Sequence, residues 1–350
     1  MISIRQERWC SLKRTEIFGK DRAWKWLSLA RQVVYPILCV IFVLRVSGLS
    51  HAEPQGKLII FHAGSLAIPF KDMEEAFTKK YPKIQVCREA AGSRICARKI
   101  SDLNRPCDVM ASADYTVIDQ LLIPEWADWN LGFCTNEMAI MYRADSKFAD
   151  EINQKNWYRI LLRPEVEYGH SDPNADPCGY RSQLVWQLAE RYYKIPGLYQ
   201  RLQENCPPSN VRPKEVDLIA MLEAGQIDYL FIYRSVCEQH ESPYLILPDQ
   251  INLGSPEYTE YYKQARIKVT GKRPGEWIEK IGAPMIYGIT IPKNAPNHEA
   301  ALAFVRFVLG PIGRKIMVKN GQPPLVPPML TGRKDLLPQA IREVLKTCNR

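Results

Sequence analysis

The chain has 350 residues, 46% of them hydrophobic and 24% charged, a globular balance in a length that suits two domains better than one. Its net charge of +9 is unevenly placed: residues 1–52 hold nine Lys or Arg against three acids, which leaves the remainder only weakly basic. A protein that grips nucleic acid by neutralising phosphates keeps its excess charge in the folded part, so this distribution excludes that class of partner.

The N-terminus reads as an address. A basic stretch precedes the apolar run Val33 to Leu44, and Ser50-His51-Ala52 fits a signal-peptidase site, so residues 1–52 are expected to be a signal peptide that directs the chain to the periplasm. The run is short of the roughly 20 residues a bilayer span needs, and Pro36 interrupts it; the alternative is a retained N-terminal anchor. Leu38 ahead of Cys39 argues against lipid attachment. Of ten cysteines, eight (Cys87, Cys96, Cys107, Cys134, Cys178, Cys206, Cys237 and Cys348) lie beyond this segment, with no C-x-x-C spacing. An oxidising compartment permits disulfides, and the expectation is a mixture of bridges and buried small hydrophobes.

From Lys57 the pattern is strand, turn, helix, repeated. Leu58-Ile59-Ile60-Phe61 is a β-rich apolar run, His62-Ala63-Gly64-Ser65 a turn, and Phe70, Met73 and Phe77 recur at helical spacing before Tyr81-Pro82. Ile84-Gln85-Val86 starts a second strand, Ala90-Ala91-Gly92-Ser93 a second small turn, and a helix is expected from Ser93 to Leu103. Asp108-Val109-Met110-Ala111 is a third strand and Thr116-Val117-Ile118 begins a third helix. Met138 to Tyr142 reads as a strand leaving the first domain, followed by a short helix at Trp157 to Leu162, a turn-rich stretch from Ser171 to Tyr180, and helices at Ser182 to Tyr193 and Glu215 to Glu223. Tyr229 to Tyr233 is a buried strand; Tyr287 to Ile291 is a strand returning to the first domain, and Asn297 caps a helix to Leu309. Alternating βα units predict an α/β chain of two lobes, each a mostly parallel sheet flanked by helices, with a cleft between them. The expected division is 53–140 for the first lobe, 141–284 for the second, 285–330 for the return segment and 331–350 for a C-terminal tail.

Two turns share one chemical design. Gly64-Ser65 and Gly92-Ser93 each follow a strand and open a helix, combining close backbone approach, a hydroxyl and helix N-terminal amides, which is a neutral anion site. A serine at a helix start is more ordinarily an N-cap, and the repetition in consecutive βα units is what favours a shared anion. The segment Asp172 to Ser182 reads as a rigid loop ending in a capped helix, with Asp176 near its N-terminus.

Here the chain resembles the tungstate/molybdate-binding proteins of ABC importers, in the branch related to archaeal tungstate binders. The matching motifs are Phe61-His62-Ala63-Gly64-Ser65-Leu66, Glu89-Ala90-Ala91-Gly92-Ser93, Ala113-Asp114-Tyr115-Thr116, Asp150-Glu151-Ile152-Asn153, Asp176-Pro177-Cys178-Gly179-Tyr180-Arg181-Ser182, Phe231-Ile232-Tyr233-Arg234-Ser235-Val236 and the run Tyr287 to Ala295, collinear from Lys57 to Pro328. The resemblance implies the two-lobed periplasmic-binding-protein fold of type II. It also implies an oxyanion held by Gly64, Ser65, Ser93, the loop Asp176-Pro177-Cys178, Glu215 and Tyr233. Two carboxylates beside a dianion are unfavourable unless their oxygens bond the metal itself. Tungsten(VI) and molybdenum(VI) are hard centres that take oxygen ligands, so Asp176 and Glu215 are expected to expand the bound anion to six-coordinate, which sulfate cannot follow. The implied role is a monomeric carrier that delivers the anion to a membrane permease, with no cofactor. The cysteines around the second Gly-Ser turn and a shortened segment near Cys206-Pro207-Pro208 depart from the archaeal pattern.

Other readings are a phosphate- or sulfate-type receptor and a membrane-anchored anion sensor. An enzyme is disfavoured: there is no Gly-x-Ser-x-Gly elbow, Walker loop or His-Glu-x-x-His, and His62, His170 and His240 are scattered.

Overall fold

The computed structural model describes residues 53–348, so the expected signal segment lies outside the described residues. The chain begins with β1 (Gly56–Ala63), α1 (Ala67–Lys80), β2 (Ile84–Ala91), α2 (Ser93–Ser101), β3 (Val109–Ser112), α3 (Tyr115–Leu121), β4 (Trp129–Thr135) and β5 (Met138–Tyr142). It continues with α4 (Trp157–Leu161), β6 (Tyr168–Ser171), α5 (Pro177–Tyr192), α6 (Leu198–Asn205), β7 (Val211–Arg212), α7 (Asp217–Glu223), β8 (Tyr229–Tyr233), α8 (Arg234–Gln239) and β9 (Tyr244–Ile246). The last elements are α9 (Thr259–Tyr262), β10 (Arg266–Thr270), β11 (Trp277–Ile281), β12 (Ile286–Thr290), α10 (His298–Leu309), α11 (Pro311–Lys319), β13 (Pro324–Gly332) and α12 (Gln339–Cys348).

Two sheets organise them. The first runs β13-β4-β12-β3-β1-β2 and the second β7-β6-β8-β5-β9, while β10 and β11 form a separate hairpin. Strand alternation places the layers: Leu58 and Ile60 of β1 join a core with Phe70, Phe77 and Phe304, whereas Phe61 joins a second cluster with Met110, Val117 and Ile118. The helices α1 and α10 thus cover one face, where Phe77 and Phe304 meet edge-on at 5.2 Å, and α2 and α3 cover the other.

The two-lobed α/β architecture matches the sequence reading, with three differences. Both sheets are mixed rather than mostly parallel: β12 runs antiparallel to β3 and β4, β13 to β4, and β5 to β8 and β9. Of these strands β5 is where the chain enters the second lobe and β12 where it returns to the first. Because Met138 already pairs with Tyr233, the first crossing falls between Thr135 and Met138; and among the described residues beyond 330, Leu337 and Ile341 are buried and α12 packs on α10. Third, α5 starts at Pro177 instead of Ser182, because the Asp176 carboxylate caps it and proline's fixed φ suits the first helical position.

The cysteines correct a further expectation. Cys87, Cys96, Cys107, Cys134, Cys178, Cys206 and Cys237 are free thiols, and all but Cys87 are buried. For these seven the small-hydrophobe reading stands and the bridge reading does not; a core of this size needs no staples.

One buried carboxylate ties sheet to helix. Asp108 accepts from the Ile59 amide at 2.7 Å and from the Asn297 amide at 2.6 Å, and the Asn297 side chain in turn caps α10 through the Ala300 amide at 3.2 Å. Asp108→Ala orphans both amides and is expected to lower unfolding stability by about 2–4 kcal/mol, read by urea denaturation, with Asp108→Asn costing less.

Candidate functional site

The two Gly-Ser turns leave the first sheet side by side, because β1 and β2 are parallel neighbours with Ala63 opposite Ala91. Gly64–Leu66 forms a single tight turn into α1, and Ser93 opens α2. Both serines are fully buried, and neither hydroxyl caps its helix. Ser65 Oγ lies 3.0 Å from Tyr287 Oη, and Ser93 Oγ accepts from the Ala113 amide at 3.0 Å. The ordinary N-cap role is therefore not what fixes either residue.

The second lobe presents its acids to the first turn. Asp176 Oδ1 accepts from the Cys178 amide at 3.2 Å and its Oδ2 from the Glu215 amide at 3.0 Å. Glu215 sits in a turn ahead of α7, at 0% exposure, and neither of its carboxylate oxygens has a hydrogen-bond partner. Burial first, then the neighbouring Asp176 carboxylate, push its pKa well above the ordinary glutamate value. A Cβ added at Gly64 would lie 3.0–3.1 Å from those two oxygens, so this glycine lets the turn's backbone close on the carboxylate. Gly92 is equally tight: its Cβ would stand 2.5 Å from the Ala175 carbonyl and 2.7 Å from that of Pro213, both in the other lobe. The Arg94 and Ile95 amides at the start of α2 donate to the same Ala175 carbonyl at 3.1 and 3.4 Å.

Tyr233 ends β8, fully buried; its hydroxyl accepts from Arg181 at 3.1 Å and its ring meets that of Tyr287 at 6.0 Å. Cys178 is buried against the Phe231 carbonyl, and burial pushes its thiol well above the usual range. Pro177 has no amide hydrogen and the Cys178 amide is committed to Asp176, so in this form the pair shapes the wall.

The structure thus brings Gly64, Ser65, Asp176 and Glu215 into one buried group; Ser93 and Tyr233 are linked to each other through Ala113 and Arg181, whose guanidinium also donates to the Ala113 carbonyl at 2.8 Å, and Tyr233 meets the group through the ring of Tyr287, the partner of Ser65. Residues that sequence reasoning left without a role complete the group. Tyr287, read as part of a strand and of a quoted motif but given no function, bridges Ser65 to Asn136, which donates to the tyrosine at 3.0 Å and to Ser235 at 2.8 Å. Arg181 stood in a quoted motif but was given no function. Asp114, in another, accepts from Tyr180, lies 3.3 Å from the Lys280 ammonium and 3.9 Å from the Arg181 guanidinium. Burial alone would raise the Asp114 pKa, but Lys280, Arg181 and the Tyr180 hydroxyl hold it far below the usual carboxylate range. His62, beside Phe70 in the core, has its pKa pushed down by burial to about 4 and is neutral at physiological pH, a structural residue.

The chain is similar to known proteins along most of its length. A sequence profile of bacterial extracellular solute-binding proteins matches residues 58–322. An uncharacterized solute-binding protein of Petrotoga mobilis is 56% identical over 314 residues, covering 89% of this chain and 98% of the relative. The molybdate/tungstate-binding protein WtpA of Thermococcus kodakarensis is 39% identical over 321 residues, covering 84% and 89%. Among solved structures, the periplasmic molybdate-binding protein of Azotobacter vinelandii superposes with a TM-score of 0.55 at 15% identity, covering 76% of this chain and 98% of that one, a likeness of fold.

The raised Glu215 pKa sets a pH dependence. An unfolded glutamate titrates near 4.5, whereas folded Glu215 keeps its proton to higher pH. The folded chain therefore binds more protons across that interval, and stability falls as pH rises through it. Without added anion, Glu215→Gln is expected to be more stable than the wild type at about pH 8 by more than at about pH 4, as read by thermal unfolding across that range.

Proposed function

This chain belongs to the bacterial extracellular solute-binding proteins, and from that premise we propose that it captures tungstate or molybdate and delivers it to the membrane permease of an ABC importer. The observation that carries the reading is Glu215: two buried carboxylate oxygens with no hydrogen-bond partner, beside a second buried carboxylate and facing the Gly64-Ser65 turn of the other lobe. A buried pair of acids is costly unless something compensates it. A cation alone would suit the acids but leave the serine turns without a purpose; an ordinary oxyanion would suit the turns but be repelled by the acids. An oxyanion whose central atom accepts further oxygen ligands suits both. Tungstate and molybdate have such a centre, and a relative sharing 39% of aligned residues is named for these two anions.

On this reading Asp176 and Glu215 bind the metal centre, Ser65 and Ser93 with the Gly64 backbone grip the oxo groups, and Tyr233, aimed by Arg181, supplies a further hydroxyl. Pro177 and Cys178 form the wall that holds Asp176 in place. The Asp176–Glu215 pair rejects sulfate and phosphate by charge, since their centres do not take up additional oxygens. Closure of the lobes excludes water from the anion and strengthens each contact, and the closed form presents a surface built from both lobes to the transporter. Residues 1–52 export the chain to the periplasm and are removed after Ala52.

Titration calorimetry with tungstate, molybdate, sulfate and phosphate tests the reading. The two group-six anions are expected to bind at least about 100-fold more tightly than the other two, and Glu215→Gln to erase most of that margin. Sulfate bound as tightly as tungstate would overturn it.

A further inference from the structure

A second buried cluster joins the lobes, and none of its members is a proposed ligand of the anion. Asp114, 7% exposed, stands at the start of α3 in the first lobe, where its carboxylate caps the helix through the Thr116 amide at 2.9 Å. Onto it converge groups from two other elements. Tyr180 and Arg181 come from the first two turns of α5, the helix whose cap is Asp176. Lys280 comes from β11 of the hairpin.

The hairpin is fastened to both lobes. Arg266 in β10 exchanges two hydrogen bonds with Gln187 of α5, at 2.9 and 3.0 Å, and the Thr270 amide donates to Asn174 at 3.0 Å. On the other side Ile278 packs into the cluster beneath α2 and α3, and Lys272 reaches the Ile123 carbonyl at 3.0 Å and Glu125 at 2.7 Å. Lys280 and Ile278 share the hairpin's inner face, two residues apart along β11. Arg94, fully buried in α2, crosses to the Asn174 carbonyl at 3.0 Å and to Thr270.

We propose that Asp114 is a positioning residue for the anion site: it draws Tyr180, Arg181 and Lys280 onto the first lobe and so fixes the closed arrangement in which Asp176 and Glu215 meet the Gly64-Ser65 turn. The coupling is short. Three residues of one helix separate the Asp176 cap from Tyr180, and Arg181 approaches Asp114 with one nitrogen and the Tyr233 hydroxyl with the other. Loss of the Asp114 charge leaves Lys280 and Arg181 without their counterion in a desolvated seam, which favours parting of the lobes.

The proposal rests on the anion-binding reading for its functional consequence, and its test has an arm free of that reading. In hydrogen exchange without added anion, the Arg94 and Ile95 amides, bonded across the lobes to Ala175, are expected to exchange about tenfold faster in Asp114→Asn and in Tyr180→Phe than in the wild type, while amides of β1 and β3 keep their protection. In stopped-flow release of tungstate, both variants are expected to let the anion go about tenfold faster with little change in capture rate. Tyr180→Phe keeps the ring and its packing, so it decides the matter should Asp114→Asn fold poorly. Unchanged exchange at Arg94 and Ile95 in both variants would overturn the proposal. Faster exchange with unchanged release would overturn its link to the anion site, and failure of the wild type to bind tungstate at all would defeat the functional reading while the exchange result still decides the closure role.

Discussion

Two carboxylates buried within one hydrogen bond of each other are the constraint around which this molecule is built. Asp176 accepts the Glu215 amide, so the pair is held from one side by backbone, and the Glu215 oxygens are left facing the first lobe with no partner of their own. A chain selected only for stability would replace such a group with an apolar one of similar shape, since a buried carboxyl without a hydrogen-bond partner costs about 1–3 kcal/mol even when it keeps its proton, and more when ionised. Keeping it makes sense where the missing compensation arrives with a ligand.

The surrounding fold serves that geometry. Parallel pairing of β1 and β2 brings two glycine-containing turns together, and both glycines sit where a side chain would collide with the opposite lobe. The capped helix α5 carries Asp176 at its first residue boundary and Arg181 within its first two turns, so one rigid element presents the acid and steers Tyr233. The chain passes to the second lobe just before β5 and returns at β12, which leaves the two lobes joined by few covalent links and many breakable contacts. Such a joint suits a protein that opens and shuts.

Much of this was legible in the residues. Strand and helix positions followed from periodicity because the first lobe is a regular βα repeat in which Leu58, Ile60, Phe70 and Phe77 mark buried faces. The two Gly-Ser turns suggested an anion on their own, but the acids of the group were legible only through resemblance. Nothing in spacing separates Asp176 as ligand from Asp176 as cap, and the structure shows it capping α5 while facing Glu215. What stayed hidden shares a cause: Tyr287, Asn136, Asp114 and Lys280 act through partners more than a hundred residues away in several cases, and such pairings leave no local pattern. The free cysteines misled for the opposite reason, since an even count in an exported chain is a statistical signal and burial is decided by packing.

X-ray absorption at the metal edge of the anion-loaded protein addresses the central claim directly, because it counts the oxygens around the metal. Bonding by Asp176 and Glu215 predicts a six-coordinate centre with two oxygens at longer distance than the four oxo groups, reverting toward four in Glu215→Gln. A spectrum indistinguishable from that of the free tetrahedral anion would contradict it.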